Sequence, residues 1–123
     1  MKHTVRLKDV IVGHSDLEHI EPGTGRAWGP FRPGLGYDLV QPVFRLFARA
    51  VPHDGSPRDD AMLSRYHDAR DKLDLLLEDQ SGKRISTSTI HIADYTVEAG
   101  ERAIQLDVLI RDETYWRHRL SSA

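Results

Sequence analysis

Between Ile104 and Ile110 the chain alternates strictly, with Ile104, Leu106, Val108 and Ile110 separated by Gln105, Asp107 and Leu109. A period of two puts all four branched residues on one face of a strand, and a strand with one apolar face needs partner strands and a cover. The residues before it supply both a turn and a partner. Ala99-Gly-Glu101 is suited to a reversal, and Ile85 to Val97 is rich in Ile, Thr, Val and Tyr, which fit a pleated surface. Farther upstream, Leu73, Leu75 and Leu77 alternate within Leu73–Asp79, and Gln80-Ser-Gly-Lys83 follows as a second tight turn. Lys72 to Asp112 is therefore expected to be a three-stranded antiparallel meander.

The cover must come from residues before the meander. His3 to Gly13 reads as a fourth strand, an edge or bridging one, with a change of phase at Lys8-Asp9 that suggests a bulge. Residues 14–36 carry Pro22, Gly23, Gly25, Gly29, Pro30, Pro33 and Gly34 and are expected to form a long loop. From Asp38 to Val51 the spacing of Gln41, Arg45 and Arg49 suits a strand and a helix equally well. A helix is favoured by Asp38 with Gln41 as a capping box, by the stripe Val40, Phe44, Phe47 and Val51, and by Pro52 as a stop. On that helix Arg45 and Arg49 are expected to face outward. A second helix starts from Ser56 as N-cap with Pro57 behind it and buries Met62, Tyr66, Ala69 and Leu73. Its rival form runs on through Leu76 and Leu77 to Gly82 and would replace the first meander strand.

These elements give an α+β fold over residues 1–123 as one domain: a four-stranded, mainly antiparallel sheet covered on one face by a helical hairpin, in the order β-α-α-β-β-β. The alternative is a mostly β fold with 38–51 as a long strand and a single helix. A short aromatic tail, 112–123, closes the chain, and its Tyr115 and Trp116 are expected to dock on the domain or on a partner.

Composition bounds the function. With zero cysteines in 123 residues there are no disulfides, no thiolate metal site and no cysteine nucleophile. No signal-peptide or membrane-spanning run is present, so a cytoplasmic protein without membrane contact is expected. A net charge of −2 without a basic block argues against nucleic acid. Arginine outnumbers lysine thirteen to four.

Three groups of residues have the chemistry for a site. His14, Asp16 and His19 are ligand-type side chains, but their spacing matches no metal motif and no cofactor is expected. His14, Asp16, His67 and Asp94 could serve a small hydrolase or lyase, metal-dependent or not, if the fold gathers them in one pocket between sheet and helices. His91 and Asp94, three apart on one strand, fall on opposite faces, which leaves Asp94 half-buried among Ile90 and Ile92. The leading set is Arg26, Trp28, Phe31, Arg32 and Tyr37, where arginines interleave with aromatics in a Gly/Pro frame, together with Trp116 in the tail. Such residues dominate recognition surfaces. The expected function is accordingly a non-catalytic binding or assembly module that recognises a protein partner, a peptide or a small anionic ligand through the 14–36 loop, with self-association as a homodimer.

Overall fold

The computed structural model describes residues 1–121. In chain order the elements are β1 (His3–Leu7), β2 (Val10–Ser15), β3 (His19–Glu21), β4 (Arg26–Pro30), β5 (Arg32–Pro33), a 3-10 turn at Tyr37–Leu39, α1 (Gln41–Ala50), α2 (Asp60–Asp71), β6 (Leu76–Glu78), β7 (Arg84–Ile85), β8 (Thr87–Asp94), α3 (Thr96–Ala99), β9 (Ile104–Ile110) and α4 (Glu113–Ser121). The fold is α+β, but the single four-stranded sheet is replaced by two antiparallel sheets. One has the strand order β5-β2-β1-β6-β7 and the other β3-β4-β9-β8.

The β8–β9 half of the expected meander forms as the alternation requires. Thr87 pairs with Ile110 at one end and Asp94 with Ile104 at the other, and every second residue of β9 is buried. Its first strand does not join them. Leu73–Asp79 is strand only from Leu76 to Glu78, because Asp74 turns the chain with φ +54°, and β6 pairs with β1 and β7. The chain then passes into the other sheet at Ser86, between β7 and β8. Two further short connections make the same crossing, from β2 to β3 and from β4 to β5.

His3 to Gly13 is a hairpin rather than one bulged strand. Lys8 sits at φ +54° in the reversal, so Val10 returns opposite Leu7. The 14–36 stretch, expected as a loop, contributes three strands, and β4 lies in the interior of its sheet between β3 and β9. The inward-facing residues of β4 are Ala27 and Gly29, beside Val108 and Leu106 of β9. Gly29 has no room for more: a Cβ there would stand 3.1 Å from the Glu18 nitrogen and 3.3 Å from the Leu17 Cα. Leu17 itself is fully buried in the left-handed region, φ +44°, where a branched side chain is strained. It is fixed by Ser15, whose hydroxyl accepts from the Leu17 amide at 3.1 Å.

Both expected helices form, which excludes the mostly β alternative. The capping box of α1 does not: Val40 is the N-cap and Pro42 occupies the first turn, where its missing N–H costs nothing. In α2 the cap is Asp59, which accepts from the Met62 amide, rather than Ser56. The helix ends at Asp71, so the extension through Leu77 is not made. α1 packs on α2 and against β8, the outer strand of its sheet. The core is continuous, joining Val5, Val12 and Leu77 of one sheet to Ile90, Ile92, Leu106 and Val108 of the other, with Phe44 and Tyr66 from the helices. Of the tail expected over 112–123, residues through Ser121 form α4, and residues 122 and 123 lie outside the described residues.

Candidate functional site

The His14, Asp16 and His19 cluster is dispersed by the β2-to-β3 crossing. His14 Nδ1 bonds Thr4 Oγ1 at 3.1 Å, Asp16 faces Arg32 at 3.4 Å, and His19 stacks on Trp28 at 5.4 Å between ring centres. Burial, with the charges of Lys2 and Arg32, holds the His14 pKa below its usual value. Among the described residues no group of three or more His, Asp or Glu side chains could hold a metal ion.

The four residues considered for acid-base catalysis are equally separated. Asp94 is fully buried. Its carboxylate accepts from Tyr37 Oη at 2.5 Å, from Gln41 Nε2 at 3.4 Å, and from the Thr96 amide and hydroxyl at 3.0 and 2.6 Å. Burial pushes its pKa up, but these donors outweigh burial and hold it below the ordinary range. A carboxylate so fully engaged ties the 3-10 turn, α1 and α3 to β8. Arg45 belongs to the same centre, contrary to its expected outward position: Nη1 donates to the Asp94 carbonyl at 2.8 Å while the fork grips Glu98. His67 lies on α2 against the Tyr66 ring, and neither Asp94, His14 nor Asp16 is bonded to it.

His91 does face away from Asp94, as the spacing required. It is packed by Phe47 at 4.3 Å and shares a hydrogen bond with Tyr66 through Nδ1. Burial lowers its pKa to about 4, so it stays neutral at pH 7.

Of the leading set, Phe31 and Tyr37 are core residues, packed edge-to-face at 5.6 Å. Arg26 and Trp28 lie on the outer face of their sheet, where Arg26 grips Asp107 at 2.6 Å and covers the Trp28 ring at 4.0 Å. His19, Trp28 and Arg26 thus form one outward stack. Arg32 makes only the long, solvated contact to Asp16, a kind of pair worth about 0–1 kcal/mol. In the tail, Trp116 donates its indole N–H to the Ile110 carbonyl at 3.2 Å. Tyr115 is buried, with its hydroxyl bonded to His3 Nε2 at 2.9 Å and receiving Arg119 Nη1 at 2.7 Å. α4 is thereby fastened to β1, and Arg119 reaches on to the Leu17 carbonyl at 2.6 Å.

Two features went unread in the sequence. One is this His3–Tyr115–Arg119 chain, which joins His3 to two residues of α4 more than a hundred positions away, with no motif in common. The other is a set of exposed apolar side chains around the β2 side of the first sheet. Val10, Ile11, Leu35 and Leu39 are all exposed, and the Gly34–Gly36 segment is laid along β2 by hydrogen bonds from Gly34 N to Val12 O at 2.8 Å and from Gly36 N to Ile11 O at 3.0 Å. A Cβ on Gly36 would come within 2.4 Å of the Val10 side chain, so glycine is what allows this approach. The signal was present in Gly34-Leu-Gly36, a large apolar residue between two small ones.

No protein-family model, no curated protein and no solved structure matches the chain.

Proposed function

We propose that the chain is a non-catalytic assembly module that meets a polypeptide surface, in the first instance a second copy of itself, through the patch of Val10, Ile11, Leu35 and Leu39. The observation that carries this is Leu35. Its side chain is 102% exposed although the glycines on either side of it are bonded to β2. A leucine held out by a fixed backbone loses little further freedom when it enters a pocket, which is the property of an interface anchor. None of the four residues is charged, so the patch can meet its own copy across a twofold axis without opposing like charges. This refines the reading of the 14–36 segment: the contact moves from its arginines, of which Arg26 is engaged by Asp107, to the leucines that follow them.

Light scattering on the intact chain over a wide concentration range tests the proposal. We expect a dimer that becomes monomeric in a Leu35→Ser/Leu39→Ser variant with an unchanged thermal transition, since exposed side chains contribute little to folding. A chain that stays monomeric at every concentration, or a variant that dimerises as the wild type does, would overturn it.

A further inference from the structure

A second surface feature lies away from that patch, where the β6–β7 turn faces α4. A cavity of about 470 Å³ opens there, lined among others by Lys83, Arg84, Ile85, Tyr115, His118 and Arg119. This is the size of pocket that takes a small organic molecule. Two acids also line it, Asp79 and Asp112, and three of their four carboxylate oxygens accept backbone amides. Asp79 Oδ1 accepts from the amides of Ser81 and Lys83, each at 2.9 Å, and from the Ser81 hydroxyl at 2.7 Å. Asp112 accepts from the Tyr115 amide at 3.0 Å and the Ser86 amide at 3.2 Å.

The cations are in the opposite condition. Arg119 is half-buried, yet it donates only to neutral oxygens, the Tyr115 hydroxyl and the Leu17 carbonyl, and among the described residues no carboxylate lies within 4 Å of it. Partly buried arginines ordinarily have a counter-ion, and a guanidinium has five N–H groups, so donors are left over here. Lys83 and Arg84 likewise form no ion pair with any described residue. His3, behind Tyr115, stays neutral at pH 7 because burial, reinforced by the charge of Arg119, lowers its pKa to about 4. The cleft therefore combines positive charge with an apolar wall from Ile85 and the Tyr115 ring. A bare inorganic ion would leave that wall unfilled.

We infer that this cleft binds a small organic anion, a carboxylate or phosphate ester on an apolar body, with Arg119, Lys83 and Arg84 taking the charged group and Ile85 and Tyr115 the body. The chain as it stands can be titrated by amide NMR with benzoate, phenyl phosphate, benzyl alcohol and inorganic phosphate. The expected result is saturable shifts at Ser81–Ile85 and Thr114–Arg119 for at least one of the two aromatic anions, about tenfold tighter than for the alcohol or for inorganic phosphate. Whichever aromatic anion is tighter identifies the charged group. A Lys83→Gln/Arg84→Gln variant, altered only at solvated positions, should fold normally and bind that anion about tenfold more weakly. Benzyl alcohol binding as tightly, inorganic phosphate binding as tightly, undiminished binding by the variant, or no saturable shift at these residues would each overturn the inference.

Discussion

β4 and β9 are adjacent strands of one sheet, paired over five residues and facing the same core, and only one of them announces itself in the sequence. On β9 the inward positions hold Ile104, Leu106, Val108 and Ile110, because the space opposite them is filled by their own side chains. On β4 the inward positions are Ala27 and Gly29, because the Ser15–Glu18 crossing runs directly against the strand and its backbone fills the space instead. The two strands thus satisfy the same packing requirement from opposite sides. Apolar periodicity reports a core strand only where side chains, rather than neighbouring backbone, supply the volume.

The sharpest way to break this pairing is Leu106→Asp. It buries a charge with no partner among Ile92, Val108 and Gly29, and we expect no soluble folded protein and no cooperative thermal transition. The comparison itself predicts opposite responses to volume. Leu106→Ala should cost about 2–5 kcal/mol through the cavity it leaves. Gly29→Val should cost about 1–3 kcal/mol by overpacking against Leu17 and Glu18. Urea denaturation of both variants checks this, and a Gly29→Val chain as stable as wild type would show that the crossing yields.

A third test uses the outer strand β8 and the distant His3. Both His91 and His3 have folded pKa values near 4 against an ordinary 6.5, so the unfolded chain binds more protons between those values. Stability is then fully present above pH 6.5 and is lost as the pH falls toward 4, by about 2 kcal/mol for each histidine. Urea midpoints measured at pH 7 and pH 4.5 should differ accordingly, and His91→Gln should reduce the difference. The smallest effect is expected at Arg45→Gln, which removes the bonds to Glu98 and the Asp94 carbonyl at a cost of about 1–2 kcal/mol. A change below about 0.5 kcal/mol would return Arg45 to the class of solvated surface charges.

What could be read in advance divides along the same physical line. The β8–β9 pairing and the opposition of His91 and Asp94 follow from a period of two, and the helices from their apolar stripes, although the caps read for them, Asp38 with Gln41 and Ser56, are not the ones that form. The second sheet did not, because it depends on where the chain leaves one layer for the other. Those points are marked by Leu17, Phe31 and Ser86, residues with no turn chemistry in common, and Lys8 reverses the chain at positive φ without being glycine or asparagine. In the candidate site, Arg26 is held by Asp107 within its own sheet, whereas Arg32 keeps only a long, solvated contact to Asp16. The exposure of Leu35 was hidden because it is decided not by a local pattern but by long-range backbone bonds, from Gly34 to Val12 and from Gly36 to Ile11 of β2.

The three short crossings also bear on how the molecule comes apart. Because β2 leads into β3, β4 into β5 and β7 into β8 across the layers, no cut in the chain leaves one sheet whole and the other free. Neither layer is a separable folding unit, so local opening of one must strain the other at three points. Slowly exchanging amides of both sheets should therefore report a single global opening free energy rather than two, and complementary fragments should need each other to fold.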